Sequence, residues 1–253
     1  MHLKASDIHR LEQDHSTEAI QERLALGAEH SYLRDMVYGA VDGAVTTFAV
    51  VSGVAGAGLS VAVVLILGFA NLLGDGFSMA AGNYLATKVD KRRLLKMRSI
   101  EETHIREVPE GEREEVRQIF KAKGFEGDIL EKIVQTITAD EELWVDTMLR
   151  EEWGLSLHVP SPWRAGLSTF GAFAAAGLVP LIPFVINFIF KLQLDAFIWS
   201  SIFTATVFFL VGALKSSFTG EKWLRSGFET LLVGGSAATL AYLVGILLKN
   251  ITA

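Results

Sequence analysis

Cysteine is absent from the 253 residues. That excludes a disulfide-stapled secreted domain and any zinc or iron–sulfur centre built on thiolates. Positive charge is also in short supply. Lys and Arg number 23 against 29 Asp and Glu, for a net charge of −6, so a general nucleic-acid surface is excluded. There is no GxxxxGK[ST] phosphate loop and no GxSxG elbow, and the chain is not read as an enzyme. The polar opening stretch, Met1 to about Glu29, lacks the apolar core of a secretory signal. With half its residues hydrophobic, the chain is too apolar for disorder.

What is present is apolarity in blocks. The mean hydropathy of +0.34 averages two unlike kinds of segment. A spanning helix needs roughly 20 apolar residues, and five stretches qualify: about 33–57, 61–87, 165–190, 196–214 and 231–248. The second has no stop signal and runs on through VDKRRLLKMRSIEETHIREV, so one long helix is expected to leave the membrane. Between Ser99 and Glu152 lie roughly 16 acidic residues against roughly 7 basic ones. Pro109 can open a helix there and Gly124 can close it. Two more short helices are expected at Gly127 to Thr138 and Asp140 to Trp153.

The expected fold class is therefore all-α: a polytopic membrane protein with five transmembrane helices. A small helical metal-binding domain is inserted between the second and third. The segments are 1–32 (an amino-terminal helix with a weak amphipathic stripe), 33–89 (the first two spans), 90–164 (the acidic domain) and 165–253 (the last three spans). Lys88, Lys91, Arg92, Arg93, Lys96 and Arg98, with Lys215, Lys222 and Arg225, fall on one side of a five-span arrangement. The positive-inside rule makes that side, with the amino terminus and the acidic domain, cytoplasmic.

Charges inside spans are costly, about 2.5–3.5 kcal/mol each on insertion scales. Asp42 and Asp75 each either cap backbone within a polar bundle interior or line an ion path. Met79 is either packing or a thioether ligand for a soft transition metal, and Asn71 and Asn83 add neutral oxygens on the same helix. In the acidic domain Glu101 and His104 are three apart, as are Glu112 and Glu115, while Met148 and Glu152 are four apart. Each pair shares a helix face. Packed inward, the pairs form a carboxylate cluster with an imidazole and a thioether, suited to Fe²⁺, Mn²⁺, Co²⁺ or Zn²⁺; left outward, they are a solvated acidic surface. Glu12 with His15, and Glu101 with His104, also have the Glu-x-x-His spacing of di-iron bundles. Four functions stay open on these residues: a metal transporter, a membrane-anchored ferroxidase or iron-storage protein, a non-transporting metal sensor, and a structural membrane protein.

DMVYGAVDGAVTTFAVVSGVAGAGLS, followed by GFANLLGDGFSMAAGNYLATK, resembles the vacuolar iron transporter family. The likeness extends from Tyr32 to the end, through the acidic insertion and the Pro180/Pro183 pair. It implies a homodimer that exports Fe²⁺, or Mn²⁺, from the cytoplasm in exchange for protons. It places Asp42 and Met79 on the path between subunits and Glu101, His104, Glu112, Glu115, Met148 and Glu152 on the cytoplasmic metal cluster. His104 stands where the family usually has a glutamate, Asn71 where plant members have an acid, and Asn83 where a glutamate is frequent. These departures, with the short amino terminus, point to a bacterial inner membrane; a vacuolar membrane is the alternative.

Overall fold

The structure is a computed structural model that describes residues 8, 13–26, 32–192 and 195–252, without the side chains of 22–26 and 252. The chain divides into two units, Met1–Ser31 and Tyr32–Ala253. The first contributes α1 (Thr17–Leu26). Ser16 Oγ accepts from the Ala19 amide at 3.2 Å and so caps the start of that helix.

The second unit is all-helical among the described residues. Its helices are α2 (Leu33–Gly56), α3 (Val61–Glu107), α4 (Pro109–Ala122), α5 (Gly127–Thr138), α6 (Glu141–Glu151), α7 (Pro162–Leu178), α8 (Ile182–Phe190), α9 (Ala196–Thr219) and α10 (Trp223–Thr252). Five helices are long and apolar enough to cross a membrane: α2, α3, α7 with α8, α9 and α10. At about 1.5 Å per residue, the 47 residues of α3 reach about 70 Å, more than twice a hydrocarbon core of about 30 Å. Its carboxyl part, from the Lys88–Arg98 basic run onward, exceeds the length that one such core needs.

α2 is the helix around which the spans assemble, packing against α7, α10, α3 and α9. Small residues make this possible. A methyl group on Gly43 would collide with the backbone of Phe173 in α7, and one on Gly245 of α10 would collide with the backbone of Gly53. Lipid tails offer no hydrophobic drive for helices to associate, so such close backbone approach supplies the contact instead. The outward faces are apolar and uncovered: Ile66, Phe77, Leu232 and Leu240 are each about two-thirds exposed. In water so much apolar surface would aggregate.

The third span breaks at a 3₁₀ turn, Val179–Leu181, which contains Pro180, and Pro183 follows in the first turn of α8. There the Ser200 hydroxyl of α9 donates to the Pro180 carbonyl at 2.7 Å. A neighbouring helix thus meets the backbone that the prolines disturb. The fifth span starts eight residues before the apolar stretch that begins near Leu231. Ser226 and Thr230 in that extra length are buried, and Gly212 of α9 lies directly against both. Hydropathy alone cannot register a helix segment held by small and hydroxylated residues.

α4, α5 and α6, with the end of α3, enclose a separate apolar core of Val116, Leu130, Val134, Ile137, Trp144 and Met148. Asp140 Oδ1 caps α6, accepting from the amides of Glu142 at 2.9 Å and Leu143 at 3.0 Å. Arg117 of α4 donates twice to Glu131 of α5, at 2.8 and 3.1 Å. Arg98 pairs with Asp146 and ties α3 to α6. Replacing Gly43 by Val should destabilise the span bundle by about 1–3 kcal/mol through overpacking. Gly111→Ala in exposed α4, where nothing lies within 4 Å, should stabilise by up to ~1 kcal/mol. Thermal unfolding in detergent measures both.

Candidate metal centre

Glu101 and His104 sit one turn apart at the far end of α3. The chain breaks at Val108, and Pro109 restarts it as α4. This sharp restart folds Glu112 back towards the α3 pair. One donor atom from each of Glu101, His104 and Glu112 lies within 4.8 Å of the other two. His104 Nδ1 is 3.3 Å from Glu112 Oε1. The two carboxylates are almost completely enclosed, Glu101 at 1% and Glu112 at 3% exposure, while His104 opens to solvent.

Hydrogen bonding leaves these acids half satisfied. Glu101 Oε1 accepts from the indole N–H of Trp153 at 2.8 Å. Oε2 of Glu101 and Oε2 of Glu112 are buried and have no partner. A buried anionic oxygen without a donor is costly, and a cation beside it removes that cost. Burial first, then the charges of Glu115 and Glu101, push the Glu112 carboxyl up to about 7; Glu152 adds to this and His104 opposes it. Glu152 is also raised, by burial and then by Glu101 and Glu115. Glu115 and Glu152 are exposed but lie within electrostatic range, as a rim around the buried pair. Met148 is wholly buried in the apolar core with Val116 and Trp144, one turn before Glu152. Two carboxylates and an imidazole are a donor set for divalent transition ions.

The span residues form a second group. Asp42 of α2 is half-buried and Asp75 of α3 is exposed, close enough to interact electrostatically. Asn71 lies one turn before Asp75, and half-buried Met79 one turn after it. Asn71 Nδ2 donates to Thr46 Oγ1 at 3.4 Å, and the Thr46 hydroxyl donates to the Asp42 carbonyl at 2.9 Å. Asn71 therefore links α3 to the turn of α2 that carries Asp42. Asn83 serves elsewhere: its Nδ2 donates to Thr169 Oγ1 at 2.7 Å and to the Ala165 carbonyl at 3.4 Å, bracing α3 against α7. Of the two Glu-x-x-His spacings, Glu101 and His104 are in the cluster, whereas Glu12 lies outside the described residues.

Sequence reasoning passed over two participants, Trp153 and Thr46. Trp153 is 52 positions from its partner and belongs to no spacing pattern. Thr46 reads as one more small residue of a packed span.

Together these features define a five-span helical membrane protein with a carboxylate-rich helical segment between its second and third spans. Residues 33–246 match the model of the VIT family. The chain is 34% identical over 213 residues to vacuolar iron transporter 1 of Arabidopsis thaliana, covering 83% of each chain. It is 34% identical over 225 residues to the vacuolar iron transporter of Toxoplasma gondii, covering 86% of this chain and 74% of that one. With the Plasmodium berghei vacuolar iron transporter it shares 29% identity over 98% of its own length. The chain belongs to the VIT family.

The raised carboxyl of Glu112 sets a pH dependence. Its folded value of about 7 lies above the ordinary 4.5, so the folded state holds this proton more tightly than the unfolded chain. The resulting stability is fully present below about pH 4.5 and is lost as pH rises to about 7. Melting temperature in metal-free, chelator-treated buffer should therefore fall across that window. Glu112→Gln should flatten the fall and raise the melting temperature at pH 7.

Proposed function

We propose that this protein carries Fe²⁺, with Mn²⁺ as a second substrate, out of the compartment that holds its acidic helices, in exchange for protons. The observation that carries this reading is the pair of buried carboxylates, Glu101 and Glu112, each with an unpartnered oxygen beside His104. The iron transporters named among its relatives supply the substrate. The basic run from Lys88 to Arg98 orients that end of α3 towards the cytoplasm, so transport runs outward from the cytoplasm. That direction serves a bacterial inner membrane and a vacuolar membrane alike.

The acidic segment captures the ion. Glu101, Glu112 and neutral His104 supply the inner donors, while Glu115 and Glu152 draw cations in from solution. Met148, in the apolar core one turn before Glu152, is the soft donor of this reading. In the membrane, Asp42 and Met79 take the ion after partial dehydration, with Asp75 and Asn71 along the same path. Asp75 is exposed on a span whose neighbours Leu73 and Phe77 are exposed too. An acid facing lipid is costly, and a second copy of the chain against this face removes the cost. A two-fold dimer then doubles each ligand, so one Asp and one Met per chain make a four-ligand site. Protonation of Asp42 from the acidic side weakens metal binding and releases the ion.

Purified protein in proteoliposomes with an acidic interior tests this. Wild type should accumulate Fe²⁺, and Asp42→Ala should abolish accumulation. Glu112→Gln with Glu115→Gln should slow it several-fold at low Fe²⁺ without abolishing it. Unchanged uptake by the Asp42 variant would sink the mechanism.

A further inference from the structure

Among the described residues, the Trp153 indole is the one hydrogen-bond donor to the Glu101 side chain. Trp153 stands just past α6 and is held there by backbone. Its amide donates to the Met148 carbonyl at 3.3 Å, and the Leu155 amide donates to the Leu149 carbonyl at 2.9 Å. Gly154 between them has φ +61°, the left-handed conformation that closes a helix end. The indole is therefore fixed to a rigid cap. Its N–H is a donor only; it neither titrates in the working range nor binds a cation through nitrogen.

The bond it makes is selective between the two oxygens of Glu101. Oε1 is engaged at 2.8 Å, while Oε2 is buried and unpartnered. A cation in the pocket meets Glu101 as a single-oxygen donor, because chelation by both oxygens must compete with the indole hydrogen for Oε1. This matters for ion choice. Ca²⁺ takes 6–8 oxygens at 2.3–2.6 Å and uses two-oxygen carboxylates readily. Smaller transition ions accept one-oxygen carboxylates together with imidazole. Groups that orient a ligand from behind typically contribute 10–100-fold to metal affinity.

We infer that Trp153 is a positioning and specificity-determining residue: its indole N–H fixes Glu101 as a one-oxygen ligand and so favours small transition-metal ions over Ca²⁺. The inference rests on the cluster being the metal-capture site. A purely structural anchor between α6 and α7 would affect both ions equally, so the ratio of affinities distinguishes the two roles.

The experiment uses the full-length protein in detergent, with Mn²⁺ binding followed by loss of the free-ion EPR signal and Ca²⁺ added as competitor. Three replacements are compared with wild type: Glu112→Gln, Trp153→Phe, and 3-benzothienylalanine at position 153. The last keeps the bicyclic shape and lacks only the N–H, so it carries the test if Trp153→Phe does not fold. Glu112→Gln should lose high-affinity Mn²⁺ binding. Both Trp153 replacements should weaken Mn²⁺ roughly tenfold and lower the Mn²⁺-over-Ca²⁺ preference. If Glu112→Gln loses binding while the Trp153 replacements bind as wild type, or weaken both ions equally, the role of Trp153 is overturned and the capture site stands. If Glu112→Gln binds Mn²⁺ as wild type does, the capture site itself is overturned, and this inference with it.

Discussion

An ionised carboxylate enclosed by protein next to a second one is costly twice over, through lost hydration and through like-charge repulsion. Glu101 and Glu112 are held in that position by everything around them. α3 runs on well past its apolar half and carries Glu101 and His104 at its far end. Pro109 turns the chain so that Glu112 returns to them. The apolar core of Val116, Trp144 and Met148 fixes α4 and α6 against α3, and the Arg98–Asp146 pair tightens the same joint. A fold that only needed acidic solubility would leave these side chains in water. Here two oxygens are buried with no donor, which is the arrangement a cation completes.

The span bundle obeys the opposite constraint. Hydrocarbon provides no donors, so backbone groups are satisfied within helices or by neighbouring hydroxyls. Ser200, whose hydroxyl donates to the Pro180 carbonyl, is the clear case. Among the span residues, Asn71 is bonded to Thr46, while Asp42 and Asp75 lie close enough to interact electrostatically. Close packing of α2 through Gly43 and Gly53 keeps Asp42 at a fixed depth. The buried carboxylate cluster and the span acids thus share one helix, α3, which carries Glu101 and His104 at one end and Asp75 and Met79 in its apolar half.

Much of this could be read from residues alone, and the reasons differ by element. The five spans and the uninterrupted α3 follow from hydropathy and from the lack of a stop signal after Thr87. The grouping of Glu101 with His104 follows from helical spacing. Other features depend on contacts between distant segments. Trp153 reaches Glu101 only because α6 packs back on α3. Met148 carries the same spacing logic as the acids, yet its environment is the apolar core, since a thioether satisfies packing as readily as coordination. The early start of α10 was hidden because Ser226 and Thr230 lower hydropathy while still packing against Gly212. Asn83 looked like a lost path acid and is a helix brace.

In the proposed exchange, the ion would leave the compartment of the acidic helices as protons return. Reconstituted vesicles containing a trapped pH dye, acidic inside and with the acidic helices facing out, measure both flows at once. On external Fe²⁺ addition, metal should enter and the interior should become more alkaline in the same time course. Metal entry with no change in internal pH, or no metal entry at all, would contradict it.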